Sequence, residues 1–187
     1  MSTETIRESA MSTDISTPST VDHVDAATYH SVVQFLYAES RLLDNRHFDS
    51  WVELFTDDAR YIVPVRLNRE DGADWESRSK AFDDTKQTLE IRVNRLNCEY
   101  AWAEQPPSRV RHYISNIEVE QSAIPNEVTV RANELIYRSR GNSTNIDLLS
   151  AQRQDTLRMT PDGWRISRRW TALDQSTLSA HNLSMFF

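Results

Sequence analysis

One aspartate and one histidine are the side chains best suited to acid/base chemistry in this sequence. Asp44 stands in Leu42-Leu-Asp-Asn-Arg-His-Phe-Asp-Ser-Trp51, where a helix should end. His112 stands in Arg109-Val-Arg-His-Tyr-Ile114, on a strand-like run. A carboxylate bonded to one ring nitrogen orients a histidine as a general base. The same pair also supports a structural reading. Asp44 would then brace Arg46, Arg92 or Arg95, and His112 would bond a backbone group. The structural reading is the expectation, with catalytic use of Asp44 and His112 as the alternative.

Metal and cofactor chemistry find little support. The histidines are His23, His30, His47, His112 and His181, and none forms an H-x3-H or HExxH pair. Cys98 is the single cysteine, between Asn97 and Glu99. A Rieske cluster takes two Cys and two His, so this chain cannot hold one. One cysteine also rules out an internal disulfide or a thiolate zinc site. No spacing points to a two-His-one-carboxylate iron site. The three glycines, Gly72, Gly141 and Gly163, are isolated, which excludes the glycine-rich phosphate loops. No cofactor is expected in this chain.

Arginine is the second unusual feature. Only Lys80 and Lys86 are lysine; the other 19 of 21 basic residues are Arg, whose planar fork suits buried or intersubunit ion pairs. From Arg131 to Arg169 eight Arg face four acids, an excess of +4 in a chain of net charge -7. Few acids stand opposite in those runs, chiefly Glu134, Asp147 and Asp155. The strands therefore present either a solvated basic face or an interface that expects acids from another chain. Tyr137 and Trp170 are interleaved, and Arg with aromatics is interface composition. The terminal Leu183-Ser-Met-Phe-Phe187 is apolar enough that it should dock, on the sheet or across a subunit boundary. The interface candidates are Arg109, Arg111, Tyr137, Arg138, Arg140, Arg168, Arg169, Trp170, Phe186 and Phe187.

These residues need elements to hold them. Asp25 can cap a helix running to about Asp44, with Tyr29, Val32, Val33, Leu36, Tyr37 and Leu43 as its apolar stripe. Phe48, Trp51, Val52 and Phe55 predict a short second helix, broken by Asp57-Asp58. Ala59–Arg66 reads as a strand with Pro64 at an edge or bend. Residues 67–80 read as a charged loop. Asp83 and Asp84 suit the first turn of a third helix, which runs to about Asn97 with Leu89, Val93 and Leu96 inward. Beyond Pro106-Pro107 come four strand-like runs: Arg109–Gln121, Glu127–Arg140, Ile146–Met159 and Trp164–Leu173. Their separators, Ile124-Pro-Asn126, Gly141-Asn-Ser143 and Pro161-Asp-Gly163, carry turn chemistry. Val110 and Ile114 alternate out of phase with Ile117 and Val119, so a β-bulge is expected near Ser115. Trp51, Trp102, Trp164 and Trp170 read as core. The order is α+β, with helices packed on one face of a long, curled antiparallel sheet.

The whole chain sets the outer bounds. Its 187 residues fit one domain, with 39% hydrophobic and 26% charged residues. Residues 1–23 are Ser/Thr-rich and nearly free of aromatics, so a disordered tail is expected, with residues 24–187 as a single domain. Met11 opens a second Met-Ser-Thr and is a candidate start. No apolar run approaches membrane-spanning length and no apolar signal segment opens the chain. Net negative charge gives no reason to bind nucleic acid. A cytoplasmic location is the expectation.

Several blocks together resemble one family. They are Leu42-Leu43-Asp44-x-Arg46-x-Phe48-Asp49-x-Trp51, Asp58-Ala-Arg-Tyr61-x-x-Pro64 and Phe82-Asp83-Asp84. Trp102-Ala-Glu-x-Pro-Pro-Ser-Arg109-x-Arg111-His112 follows, with Ser115-Asn116, then Tyr137-Arg138-Ser-Arg140 and Arg153-x-Asp155-x-Leu157-Arg158. Gly163-Trp164-x-Ile166, Arg168-Arg169, Leu173-Asp-Gln-Ser-Thr-Leu178 and Asn182-Leu-Ser-x-Phe-Phe187 close the set. In order and spacing the chain, from about residue 30 to its last, resembles the small (beta) subunit of aromatic-ring-hydroxylating dioxygenases.

The resemblance implies a cystatin-like (nuclear-transport-factor-2-like) cone. It implies an α3β3 hexamer in which the alpha subunit holds the Rieske [2Fe-2S] cluster and the mononuclear Fe(II). That alpha subunit would carry out NADH- and O2-dependent cis-dihydroxylation of an aromatic hydrocarbon, fed by a ferredoxin and a reductase. The beta subunit would serve assembly. The same cone also houses scytalone-dehydratase-like and ketosteroid-isomerase-like enzymes. The alternative is therefore a stand-alone dehydratase or isomerase using Asp44 and His112.

Overall fold

The computed structural model describes residues 23–66, 75–97, 107–142, 144–175 and 185–187. The Ser/Thr-rich tail, Cys98, Trp102 and most of the expected 67–80 loop lie outside the described residues.

Helix α1 spans Ala26–Asp44, and its start is set by Asp25, whose carboxylate accepts from the Thr28 amide at 2.8 Å. Val32, Leu36 and Leu43 of its stripe are buried, while Tyr29 and Tyr37 are more than two-fifths exposed. The helix ends in a tight turn. Arg46 adopts φ 60 and its amide donates to the Leu43 carbonyl at 3.0 Å. That turn launches α2, Phe48–Val52, which buries Phe48, Trp51 and Val52.

The first strand, β1, runs Phe55–Arg66 and so begins earlier than Ala59. Phe55 and Asp57-Asp58 belong to this strand rather than to the end of α2. The cause is tertiary: β1 pairs with the last strand, and the Ile166 amide donates to the Leu54 carbonyl at 2.8 Å. The two aspartates face outward, Asp57 toward Lys86 at 3.2 Å and Asp58 toward Arg158 at 3.0 Å. Pro64 sits in a register shift, where its missing amide breaks no regular ladder.

A second strand, β2, spans Trp75–Thr85, where a loop and then a helix start were expected. Asp83 and Asp84 lie in this strand, not in a helical first turn. Asp83 bonds Lys80 at 2.6 Å and also pairs with Arg60, and Asp84 bonds Arg92 at 2.6 Å. The cap of α3, Lys86–Asn97, is instead Thr85, which exchanges side-chain and backbone bonds with Thr88. Leu89 and Val93 are buried as expected, and Leu96 packs on the core.

The long strands β3 (Ser108–Gln121), β4 (Glu127–Arg140), β5 (Ile146–Thr160) and β6 (Gly163–Leu173) match the sequence reading to within one residue. Asn126, Gly141 and Gly163 take the positive φ that their turns require. The bulge falls between Ser115 and Glu118, with Asn116 at φ 52. All six strands form one sheet in the order β2-β1-β6-β5-β4-β3. It is mixed rather than wholly antiparallel, because β1 runs parallel to β6. Three successive hairpins fix the direction of β6, and β1 closes against its remaining edge.

The helices pack on one face. Strand β3 is a sheet edge, and α1 covers it: Tyr29 Oη donates to the Ile117 carbonyl at 3.3 Å. Covering an edge in this way hides hydrogen-bonding groups that would otherwise recruit another strand.

Candidate functional site

Asp44 and His112 meet. The end of α1 places Asp44 at the edge of β3, where Oδ1 accepts from the His112 backbone amide at 3.0 Å. The same oxygen lies 2.8 Å from His112 Nδ1. The other ring nitrogen, Nε2, lies 3.2 Å from the Phe186 carbonyl oxygen. A carbonyl only accepts, so Nε2 donates there, and Nδ1 is taken up by the Asp44 carboxylate. Burial alone would lower the ring's pKa, but the Asp44 hydrogen bond and the Glu134 charge prevail and hold it above the usual histidine value.

A general base needs a free lone pair, and this ring offers none. The cleft beside it is lined by Asp44, Phe48, Ser108, His112, Arg138 and Phe186, among others, and holds about 20 Å³. That is room for roughly one water. Among the described residues the cationic neighbours of Asp44 are His112 and, at 3.6 Å, Arg111, rather than the expected Arg46, Arg92 or Arg95. Arg92 goes to Asp84 instead.

A second polar cluster lies deeper. Arg169 is fully buried and uses all five of its N–H donors. Nε and Nη2 donate to the two Asp155 oxygens at 2.9 Å each. Nη2 also reaches Glu39 Oε2 at 3.0 Å, and Nη1 donates to Glu39 Oε1 and, at 2.9 Å, to the Phe187 carbonyl. Arg153 donates to Asp155 Oδ2 at 2.9 and 2.7 Å and pairs with Glu39. Glu134 stands 3.7 Å from Arg153, and neither of its oxygens has a hydrogen-bond partner among the described residues. Burial would raise the Glu39 pKa, yet Arg153 and Arg169 outweigh it and bring the carboxyl down to about 2. Both guanidiniums are held further above their ordinary range by Asp155 and Glu39, against the burial that would lower them.

Glu39 is the residue that sequence reading passed over. Its signal was present: Glu39 falls three residues after Leu36 and four before Leu43, inside the apolar stripe of α1. Trp51 Nε1 donates to it at 3.0 Å. The acids that the arginine-rich strands needed thus come in part from the chain's own first helix.

The ten interface candidates separate by placement. Arg109, Arg111 and Arg168 are exposed, and Tyr137, Arg140 and Trp170 are half-buried. Arg138 is buried, with Nε donating to Ser108 Oγ at 3.0 Å. Arg169, Phe186 and Phe187 are also buried in this chain's own interior, which corrects their reading as contact surface. Of the apolar terminus, residues 185–187 dock inside the fold. Phe186 lies 4.4 Å from Trp51 and 5.5 Å from Phe48 between ring centroids. The Phe187 amide donates to Tyr61 Oη at 2.9 Å. Burial pushes the Tyr61 phenol up, so it stays neutral.

Metal ligands do not gather: among the described residues no three His, Cys, Asp or Glu side chains converge. His112 has no nitrogen left to coordinate. Among those residues no helix is long and apolar enough to cross a membrane.

Comparison with known proteins adds the following. A family model described as ring hydroxylating beta subunit matches residues 38–180. A chain of naphthalene 1,2-dioxygenase, solved with indole in the active site, is 21% identical over 88% of each chain, with a TM-score of 0.79. The beta subunit of benzoate 1,2-dioxygenase from Burkholderia mallei is 25% identical over 88% of this chain and 99% of its own, with a TM-score of 0.68. A protein assigned as a scytalone dehydratase from Novosphingobium aromaticivorans shares the fold at 16% identity, with 84% of this chain and 89% of that one covered and a TM-score of 0.60.

Proposed function

This chain belongs to the ring-hydroxylating beta subunit family, and from that premise we propose that it is the assembly subunit of an aromatic-ring-hydroxylating dioxygenase. It would stand in an α3β3 hexamer with an alpha subunit that holds a Rieske [2Fe-2S] cluster and mononuclear Fe(II). The alpha subunit would cis-dihydroxylate an aromatic hydrocarbon with O2 and electrons from NADH, delivered through a reductase and a ferredoxin. This chain's residues do not fit either iron group, since one cysteine cannot ligate a Rieske cluster and His112 is committed on both nitrogens. No step of the chemistry is therefore assigned to it. Dependence on NADH and the single cysteine favour a cytoplasmic location.

One observation carries the non-catalytic role: the groups that could catalyse are consumed by the fold. Arg169 has no donor to spare, and His112 no lone pair. A stand-alone dehydratase would need space for a substrate ring beside His112, and the cleft there admits roughly one water. The test is co-expression with a large subunit bearing C-x-H and C-x2-H motifs. The two should co-purify with Rieske absorbance, while this chain alone shows neither that absorbance nor chelator-resistant iron. Iron near one per chain in the isolated protein would overturn the assignment.

A further inference from the structure

The sheet has an outer face, opposite the helices. Asp155 and Arg169 point inward, where Arg169 meets Glu39 of α1, so by alternation Gln154, Thr156, Arg168 and Trp170 point outward. Strand register sets Gln154 beside Trp170 and Thr156 beside Arg168, and continues the row to Arg60 and Ile62 on β1. Gln154, Thr156, Arg168 and Trp170 line a cleft of about 340 Å³. Arg168 also borders a cleft of about 330 Å³, which it shares with Arg60, Ile62, Lys80 and Ser167. Each reaches the roughly 300 Å³ at which small-molecule sites begin.

The chemistry of these walls is one-sided. Arg168 is exposed, and its guanidinium has no ion-pair or hydrogen-bond partner among the described residues. The Gln154 amide and the Thr156 hydroxyl are likewise unengaged there. Ser167 is already spent, since its hydroxyl donates to the Thr156 carbonyl at 3.1 Å. Among the described residues no carboxylate lines either cleft. Asp83 stands beside the second one and answers both Lys80, at 2.6 Å, and Arg60, so one acid serves two cations. Donors with no acceptor to meet them select an anion. A guanidinium fork takes a carboxylate through two parallel hydrogen bonds, and an indole takes a flat ring.

We propose that the cleft between Arg168 and Trp170 binds a small aromatic carboxylate, its acid group on Arg168 and its ring against Trp170. Gln154 and Thr156 supply further donors to the same carboxylate. Arg60 and Lys80, already matched by Asp83, add attraction at longer range rather than contacts. Inorganic phosphate offers the same sign of charge but no ring, so Trp170 separates the two. The site belongs to this chain alone and does not rest on the assembly role.

Isothermal titration calorimetry of the full-length chain with benzoate tests it, with circular dichroism as the check on folding. Benzoate should bind, and Arg168→Gln should weaken it by about tenfold or more, the worth of a charge-assisted hydrogen bond. Cyclohexanecarboxylate has the charge without the aromatic face and should bind more weakly than benzoate. Inorganic phosphate should fail to displace it. Arg109→Gln removes an exposed guanidinium from β3 and should leave the affinity unchanged. In amide NMR spectra, the indole N–H signal that benzoate shifts should be the one missing from Trp170→Phe. Absence of binding, full affinity in a folded Arg168→Gln chain, equal binding of cyclohexanecarboxylate, displacement by phosphate, an equal loss in Arg109→Gln or a shift at a different indole would each overturn the site.

Discussion

Glu39 sits in the middle of an apolar helical stripe because two guanidiniums wait for it there. Removing one charge from a buried, mutually bonded set leaves the others uncompensated, which costs about 3–5 kcal/mol. Glu39→Gln should lower stability by that order in a urea titration at neutral pH. The pH dependence follows from the depressed carboxyl. The stability it contributes is present above its ordinary value of 4.5 and is lost as pH falls toward about 2. Wild type should lose stability across that window, and Glu39→Gln should lose visibly less. His112 has the opposite sign. Its pKa is raised, so its contribution is complete below its ordinary value of 6.5 and fades as pH rises through the folded value. His112→Gln should remove that alkaline-side dependence from the melting profile.

Among elements, the last three residues act as a strap. Phe186 fills the space between Trp51 and Phe48, and the backbone of Phe186 and Phe187 meets His112, Arg169 and Tyr61. Truncating a buried aromatic costs about 3–5 kcal/mol, so Phe186→Ala should lower the melting temperature markedly. Deleting Met185–Phe187 should cost more, because it also strips acceptors from Arg169 and His112. A deletion mutant as stable as wild type would mean that the strap merely rests on the core. Strand β2 teaches a related lesson. Asp83 and Asp84 have the chemistry of a helix start, yet β1 offers a paired edge and Arg60, Lys80 and Arg92 offer counter-ions.

For the whole molecule, the basic excess of the long strands is divided between two uses. Arg153 and Arg169 are neutralised inside, and Arg109 and Arg111 remain outside. The interior share is matched by Glu39 and Asp155, and of the exterior share Arg111 lies 3.6 Å from Asp44. The proposed non-catalytic role has a consequence for turnover. In an assembled oxygenase, His112→Gln that still folds and assembles should turn over near the wild-type rate per complex. Abolished turnover in an intact complex would place catalysis in this chain after all.

The sequence by itself determined the long strands, their turns and the β3 bulge. Each is encoded by local alternation and by Asn or Gly at positive φ, which need no distant partner. It also determined the family, because many short blocks agree in order. The pairing of Asp44 with His112 was legible as a possibility, since Asp44 stood at the end of a recognisable helix and His112 within a recognisable strand. Tertiary structure alone decided the rest. Asp57-Asp58 became strand because β6 pairs there, and Thr85 rather than Asp84 capped α3 because β2 claimed the aspartates. Arg169 went inside because Glu39, distant in sequence, joined Asp155 in supplying the charge that makes burial of a guanidinium tolerable. Local propensity sees neither a partner strand nor a counter-ion on another element, and both enter only when the cone closes.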